Sequence, residues 1–180
     1  MLDGPLAKRM EALNSRFVSA VPNDLEGLKN LLRTCLLPYE DVDLHRMDFI
    51  LAKRGSATIG VVGMERFGAM GLLRSFAVDP TYRRKGVSNA LMSLVLSLAR
   101  ERGVRRAFLM TTTIEKTCAK NGFRVIGRSE LPDEIRGTAE FRGLCPKTAI
   151  CMVRDLERRS PGPDTLDRVV SESSNGFDPS

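Results

Sequence analysis

The 180-residue chain carries 28 Lys and Arg against 22 Asp and Glu, with 42% hydrophobic residues, the balance of a globular domain able to bury its own core. No apolar run nears the roughly 18 residues a bilayer span needs. The start Met1-Leu2-Asp3-Gly4-Pro5 lacks the basic and apolar regions of an export signal, so a cytoplasmic protein without membrane contact is expected. Four scattered cysteines without a CxxC pair, and a single histidine, exclude the common zinc spacings, so no metal and no disulfide is expected.

Residues 1–15 read as a polar lead-in, and residues 16–21 as a short strand. Pro22-Asn23-Asp24 offers a helix start with Asn23 or Asp24 as cap. Leu25, Leu28, Leu31, Leu32, Cys35 and Leu36 then recur at helical spacing up to Pro38. Asp41 to His45 forms a second short helix or a loop. Two apolar runs at residues 49–52 and 57–64 flank Lys53-Arg54-Gly55-Ser56, a hairpin signature. A turn at residues 66–69 leads into a third strand, Met70 to Val78, which Asp79-Pro80 closes.

A long helix follows, with Val87, Leu91, Leu94, Val95 and Leu98 on one face and a stop at Arg102-Gly103. The apolar run at residues 105–110 returns as a strand, and strand–helix–strand implies a parallel, right-handed crossover. A short helix at residues 114–120 ends at Asn121-Gly122, and strands follow at residues 123–127 and 149–153. After Leu156 the serine-rich, acidic remainder has little to bury, so residues 157–180 are expected to be a disordered tail. Residues 16–156 form the domain. Its fold class is α/β (α+β): a single mixed, mostly antiparallel sheet of six to seven strands, with a parallel central crossover and helices on both faces.

The most informative segment runs from Leu72 to Leu91, where an apolar strand enters the basic turn Arg83-Arg84-Lys85 and Gly86 opens an apolar helix. Unpaired N–H groups and the positive dipole end of such a helix hold phosphate oxygens. Gly86 allows close backbone approach, and the three cations add charge-assisted contacts. The competing account is a basic helix start that only aids solubility. The basic residues between Arg83 and Arg106 fall into two clusters at the two ends of one helix, which suits one polyphosphate better than a nucleic-acid backbone. With 6% aromatics and no Trp, little is available for base stacking, so no nucleic-acid partner is expected.

These residues resemble the GNAT superfamily of N-acetyltransferases. Its Gln/Arg-x-x-Gly-x-Gly/Ala loop is matched by Arg83-x-x-Gly86-x-Ser88, and its Gly-Phe after a short helix by Asn121-Gly122-Phe123. Leu72-Leu73-Arg74-Ser75, Thr111-Thr112-Thr113, Thr138-Ala139-Glu140-Phe141 and Leu144-Cys145-Pro146 resemble one branch. It comprises amino-acid N-acetyltransferase-like proteins often labelled arsenic-resistance N-acetyltransferases.

The resemblance implies that acetyl-CoA lies where the central strand splays from the next parallel strand. Its pantetheine would pair with backbone at Phe76, Ala77 and Val78, and its pyrophosphate would sit at Arg83, Arg84, Lys85, Gly86, Val87, Ser88 and Asn89. A small-molecule amine, of amino-acid type or an amino-acid-like toxin, would attack the thioester directly, with an N–H near Val78 stabilising the oxyanion. A monomer or homodimer is expected.

The chain also departs from the family pattern. Ser88 replaces a glycine or alanine. Cys118 stands four residues before Gly122, where many members carry a tyrosine acid; it either protonates the CoA thiolate or only packs. Leu72 replaces the frequent glutamate of the central strand, leaving Glu65 as a base acting through water or as a strand-end charge. Arg74, in the middle of an apolar strand, either clamps a substrate carboxylate or pairs with Glu65 or Glu140, the latter in the late loop expected to cover the acceptor. The departures at Leu72 and Cys118 keep open a second reading, an acetyl-CoA-binding sensor with little catalysis.

Overall fold

The computed structural model describes residues 14–156; residues 1–13 of the lead-in and the expected tail lie outside them. Among the described residues, seven strands form one sheet in the order β1-β2-β3-β4-β5-β7-β6. They are β1 (Arg16–Ser19), β2 (Met47–Arg54), β3 (Ala57–Phe67), β4 (Met70–Val78), β5 (Arg106–Thr111), β6 (Arg124–Ile126) and β7 (Ile150–Asp155). Among the described strands only β4 and β5 pair in parallel, joined by the crossover helix α2 (Val87–Glu101). The other helices are α1 (Leu25–Thr34), α3 (Glu115–Lys120) and α4 (Asp133–Arg136).

Strand alternation distributes the core over both faces. Ile50, Met64, Leu73 and Leu109 pack against Leu91, Val95 and Leu96 of α2, with Cys118 of α3 in the same cluster. On the opposite face, Phe49, Leu51, Val61 and Ala77 meet Leu28, Leu31 and Leu32 of α1. Farther along that face, Leu72, Phe108 and Val153 meet Leu131 and Ile135 around α4. Each fully buried Leu or Phe contributes roughly 1.5–3 kcal/mol through removal from water. No helix among the described residues is long and apolar enough to cross a membrane.

The first strand is shorter than its apolar run predicts. Pro22 opens a 3-10 turn, and the Val21 N–H donates to Asp24 Oδ2 at 3.0 Å, outside the sheet. Residues 41–45 form turns rather than a helix, with Arg46 and Met47 N–H groups donating to the Asp43 carbonyl. Leu36, expected on the inner face of α1, follows the helix end with φ 57° and is 92% exposed.

Candidate functional site

Two irregularities in β4 open the sheet. The β3–β4 register shifts between Val61 and Gly63, and Ser75 takes φ 53°, so the strand bulges. Parallel pairing with β5 ends at Leu73–Leu109, although β4 continues to Val78 and β5 to Thr111. Beyond that point β5 bonds to β7 alone, as far as Thr111–Ile150, and β4 and β5 diverge. The Asp79 N–H donates to the Ile59 carbonyl at 2.9 Å. Because bonded and non-bonded pairs alternate in an antiparallel ladder, the Gly60–Val78 pair is non-bonded. The Val78 backbone groups therefore point away from β3, while those of Ala77 face β3.

The divergence forms a cleft of about 130 Å³. Its walls are Leu73, Ser75 and Phe76 on one side and Met110 to Ile114 on the other, with Met92 of α2 also lining it. Leu37, Pro38 and Leu144-Cys145-Pro146 close over it. Thr111 Oγ1 accepts the N–H groups of Thr113 and Ile114 at 3.1 and 3.0 Å, shaping the turn into α3.

At the same end of β4 stands the N-terminus of α2. Gly86 is its cap residue, with φ 91° and no side-chain hydrogen bond to the helix, and no acid occupies the first turn. The first N–H groups of a helix have no partner within it. Arg83 turns back onto the strand, its Nε donating to the Val78 carbonyl at 3.0 Å. Cys35 Sγ approaches the same carbonyl at 3.7 Å. Lys85 lies over the Tyr82 ring at 5.2 Å, and Arg84 has φ 60°. Arg83, Arg84, Lys85 and Asn89 are exposed, Gly86 and Ser88 half-buried and Val87 buried.

Arg74 lies on the cleft's inner side, its side chain 1% exposed. One of its terminal nitrogens contacts Asp41 at 2.6 Å and Glu140 at 3.1 Å. The other lies 3.9 Å from Glu65, and Glu65 is also 3.5 Å from the exposed Arg46. Both partners expected for Arg74 are present, and Asp41 is a third. Arg74 and Glu140 line the cleft, and Arg74 also lines an adjoining cavity with Glu65, Asp41, Arg46 and Glu134. Burial pushes the Glu140 carboxyl upward against the lowering influence of Arg74, and Asp41 and Glu65 raise it further.

Glu140 opens a π-helical turn, Glu140–Leu144, which composition alone reads as a loop. Thr138 holds this turn from beneath. Its hydroxyl donates to the Ile135 carbonyl at 2.7 Å and accepts the Phe141 N–H at 3.2 Å.

Cys118 is fully buried within the α2-side core and is not among the cleft's lining residues. Burial pushes its thiol up to about 11, and it remains protonated at neutral pH. Among the described residues, no group of three or more His, Cys, Asp or Glu side chains is arranged to hold a metal ion.

The sequence profile of the acetyltransferase (GNAT) family matches residues 19–123. Among curated proteins no sequence match was found. A GNAT-family acetyltransferase from Staphylococcus aureus MU50 superposes with TM-score 0.64 at 19% identity, over 79% of this chain and 99% of that one. A Mycobacterium tuberculosis protein in complex with CoA and NLQ gives 0.65 at 21%, over 79% and 99%. N-acetylglutamate synthase from Neisseria gonorrhoeae, complexed with coenzyme A and L-arginine, gives 0.67 at 20%, over 80% of this chain and 34% of that one. The chain thus spans about a third of that synthase. At these identities the likeness is one of fold.

Proposed function

The chain belongs to the GNAT acetyltransferase family, and from that premise we propose that it transfers the acetyl group of acetyl-CoA to the amine of a small molecule by direct attack in a ternary complex. The reading is carried by one coincidence. The strand that diverges from its parallel neighbour leads, within nine residues, into a helix whose N-terminus lacks a side-chain cap. An elongated cosubstrate with a pyrophosphate at one end and a thioester at the other fits this arrangement. The α2 N–H groups and the basic turn would take the phosphates. The outward backbone of Val78, with that of Phe76, would pair with pantetheine, and the thioester would reach the cleft. A backbone N–H aimed at the developing oxyanion lowers the barrier to attack. The acceptor would approach from the side of Arg74, Glu65 and Glu140, and the branch resemblance suggests a small amine of amino-acid type.

The buried thiol of Cys118 favours a second reading, an acetyl-CoA-binding sensor, because no tyrosine stands in its place. Both are tested by mixing protein, acetyl-CoA and a panel of primary amines including the common L-amino acids, and following release of free CoA thiol. Thiol release with at least one amine supports the transferase. CoA binding without release supports the sensor. Binding of an oligonucleotide that falls steeply with salt and is not displaced by CoA would overturn both.

A further inference from the structure

Two charged side chains line the cleft, Arg74 and Glu140, and they are not equivalent. Arg74 is anchored in the centre of β4 and its terminal nitrogens face three carboxylates, while its buried Nε has no hydrogen-bond partner among the described residues. Among the same residues Glu140 faces one cation, Arg74. Its Oε2 lies 3.1 Å from Arg74, and its side chain lines the cleft. The backbone beneath Glu140 is fixed by Thr138 and by the Cys145 N–H, which donates to the Glu140 carbonyl at 2.8 Å. Glu65 lines the adjoining cavity rather than the cleft, and its oxygens face Arg46 and Arg74.

Resting on the reading that this cleft receives the thioester of acetyl-CoA, we propose that Glu140 is a catalytic residue that holds the acceptor as its ammonium ion and takes one proton from it. A carboxylate fixed at the cleft wall is a partner for R–NH3+, and transfer to it leaves R–NH2 and a neutral Glu140. The amine lone pair then forms the C–N bond at the thioester carbonyl. Collapse breaks the C–S bond, the second nitrogen proton goes to the departing CoA thiolate, and the proton on Glu140 is released to water. The products are the amide, CoA thiol and one proton.

The groups facing Glu140 act in opposed directions. Arg74 on β4 favours the carboxylate, while burial, Asp41 after α1 and Glu65 on β3 favour the acid. Cys145, at the end of the same turn, is itself pushed up to about 11, chiefly by burial. The net effect raises the proton affinity of Glu140 above that of an ordinary glutamate, which suits a base more than a permanent anion.

The test uses the full chain with acetyl-CoA and whichever primary amine of the panel gives the fastest thiol release. For Glu140→Gln, kcat/KM should fall on the order of 100-fold, the scale of a lost general base, while CoA affinity is retained. The wild-type pH profile should rise through a limb above the ordinary glutamate range, and Glu140→Gln should lose that limb. Glu140→Asp should recover part of both. Asp41→Asn also breaks a contact to Arg74 but should keep the limb.

If Asp41→Asn loses the limb as Glu140→Gln does, Glu140 acts only through Arg74 and the assignment is overturned. It is equally overturned if Glu140→Gln stays within about threefold of wild type. A wild-type protein that binds CoA yet releases no thiol with any amine is a different result, which overturns acetyl transfer itself and this role with it.

Discussion

A guanidinium in the middle of a sheet must find partners, because burying an unpaired charge costs several kcal/mol. That rule made Arg74 conspicuous in the sequence and named Glu65 and Glu140 for it, and both lie near it. Asp41, at 2.6 Å, was not legible. It sits in turns between α1 and β2, where no periodicity fixes which side chains face inward. Cys118 raises the same question of burial with a testable sign. Its thiol is held protonated in the folded protein up to about 11, against 9.0 when exposed. The folded state thus binds this proton more tightly than the unfolded chain. The stabilisation is complete below pH 9 and is lost as pH rises through about 11, with a size on the order of 3 kcal/mol. Thermal unfolding should show Tm falling across that window, and falling less in Cys118→Ala; equal slopes would mean that the thiol is not buried. Cys118→Ser should change turnover only modestly, since Cys118 does not line the cleft. A loss of about 100-fold, measured by thiol release, would instead make it the acid.

Periodicity is strongest in long, half-buried elements, and β2, β3, β4 and α2 were accordingly legible from it. The motif at Gly86 was legible for a separate reason: a glycine with φ 91° at a helix start leaves a chemical mark in the sequence. The bulge at Ser75, α4 and the π-helical turn at Glu140 had no such mark, because a shifted register or a single turn is decided by tertiary contacts. Close approach between strands is similarly hidden. Phe49 and Gly63 are direct cross-strand partners, and a Cβ on Gly63 would lie 2.6 Å from the Phe49 ring. Gly63→Ala should therefore destabilise the fold by about 1–3 kcal/mol, the usual cost of overpacking, read as a lower denaturant midpoint with an unchanged m-value. An unaffected midpoint would mean the ring moves aside freely. At the α2 N-terminus, Gly86→Glu brings bulk and negative charge to the proposed phosphate site and should abolish acetyl-CoA binding. Circular dichroism should still report a folded protein. Unchanged CoA affinity, measured by calorimetry, would place the cosubstrate elsewhere.

The molecule as a whole consists of two groups of strands joined by a short parallel seam. β1 to β4 form one antiparallel group and β5 to β7 the other, and they share only the four register pairs from Met70–Arg106 to Leu73–Leu109. A cosubstrate lying in the divergence would contact both groups and bind the folded chain alone. Mass action then predicts added stability of about 2.7 kcal/mol at a hundredfold excess over Kd, a rise in Tm of roughly 5–10 °C for a protein of this size. The measurement is thermal unfolding with and without acetyl-CoA, with Gly86→Glu as the variant that should not respond. A response that survives in Gly86→Glu would mean that the stabilisation does not pass through the α2 N-terminus. A response to acetyl-CoA but not to free pyrophosphate would show that the anion site alone does not span the seam. In that case the sheet would also hold the thioester end, where β4 leaves β5 and Glu140 lines the cleft.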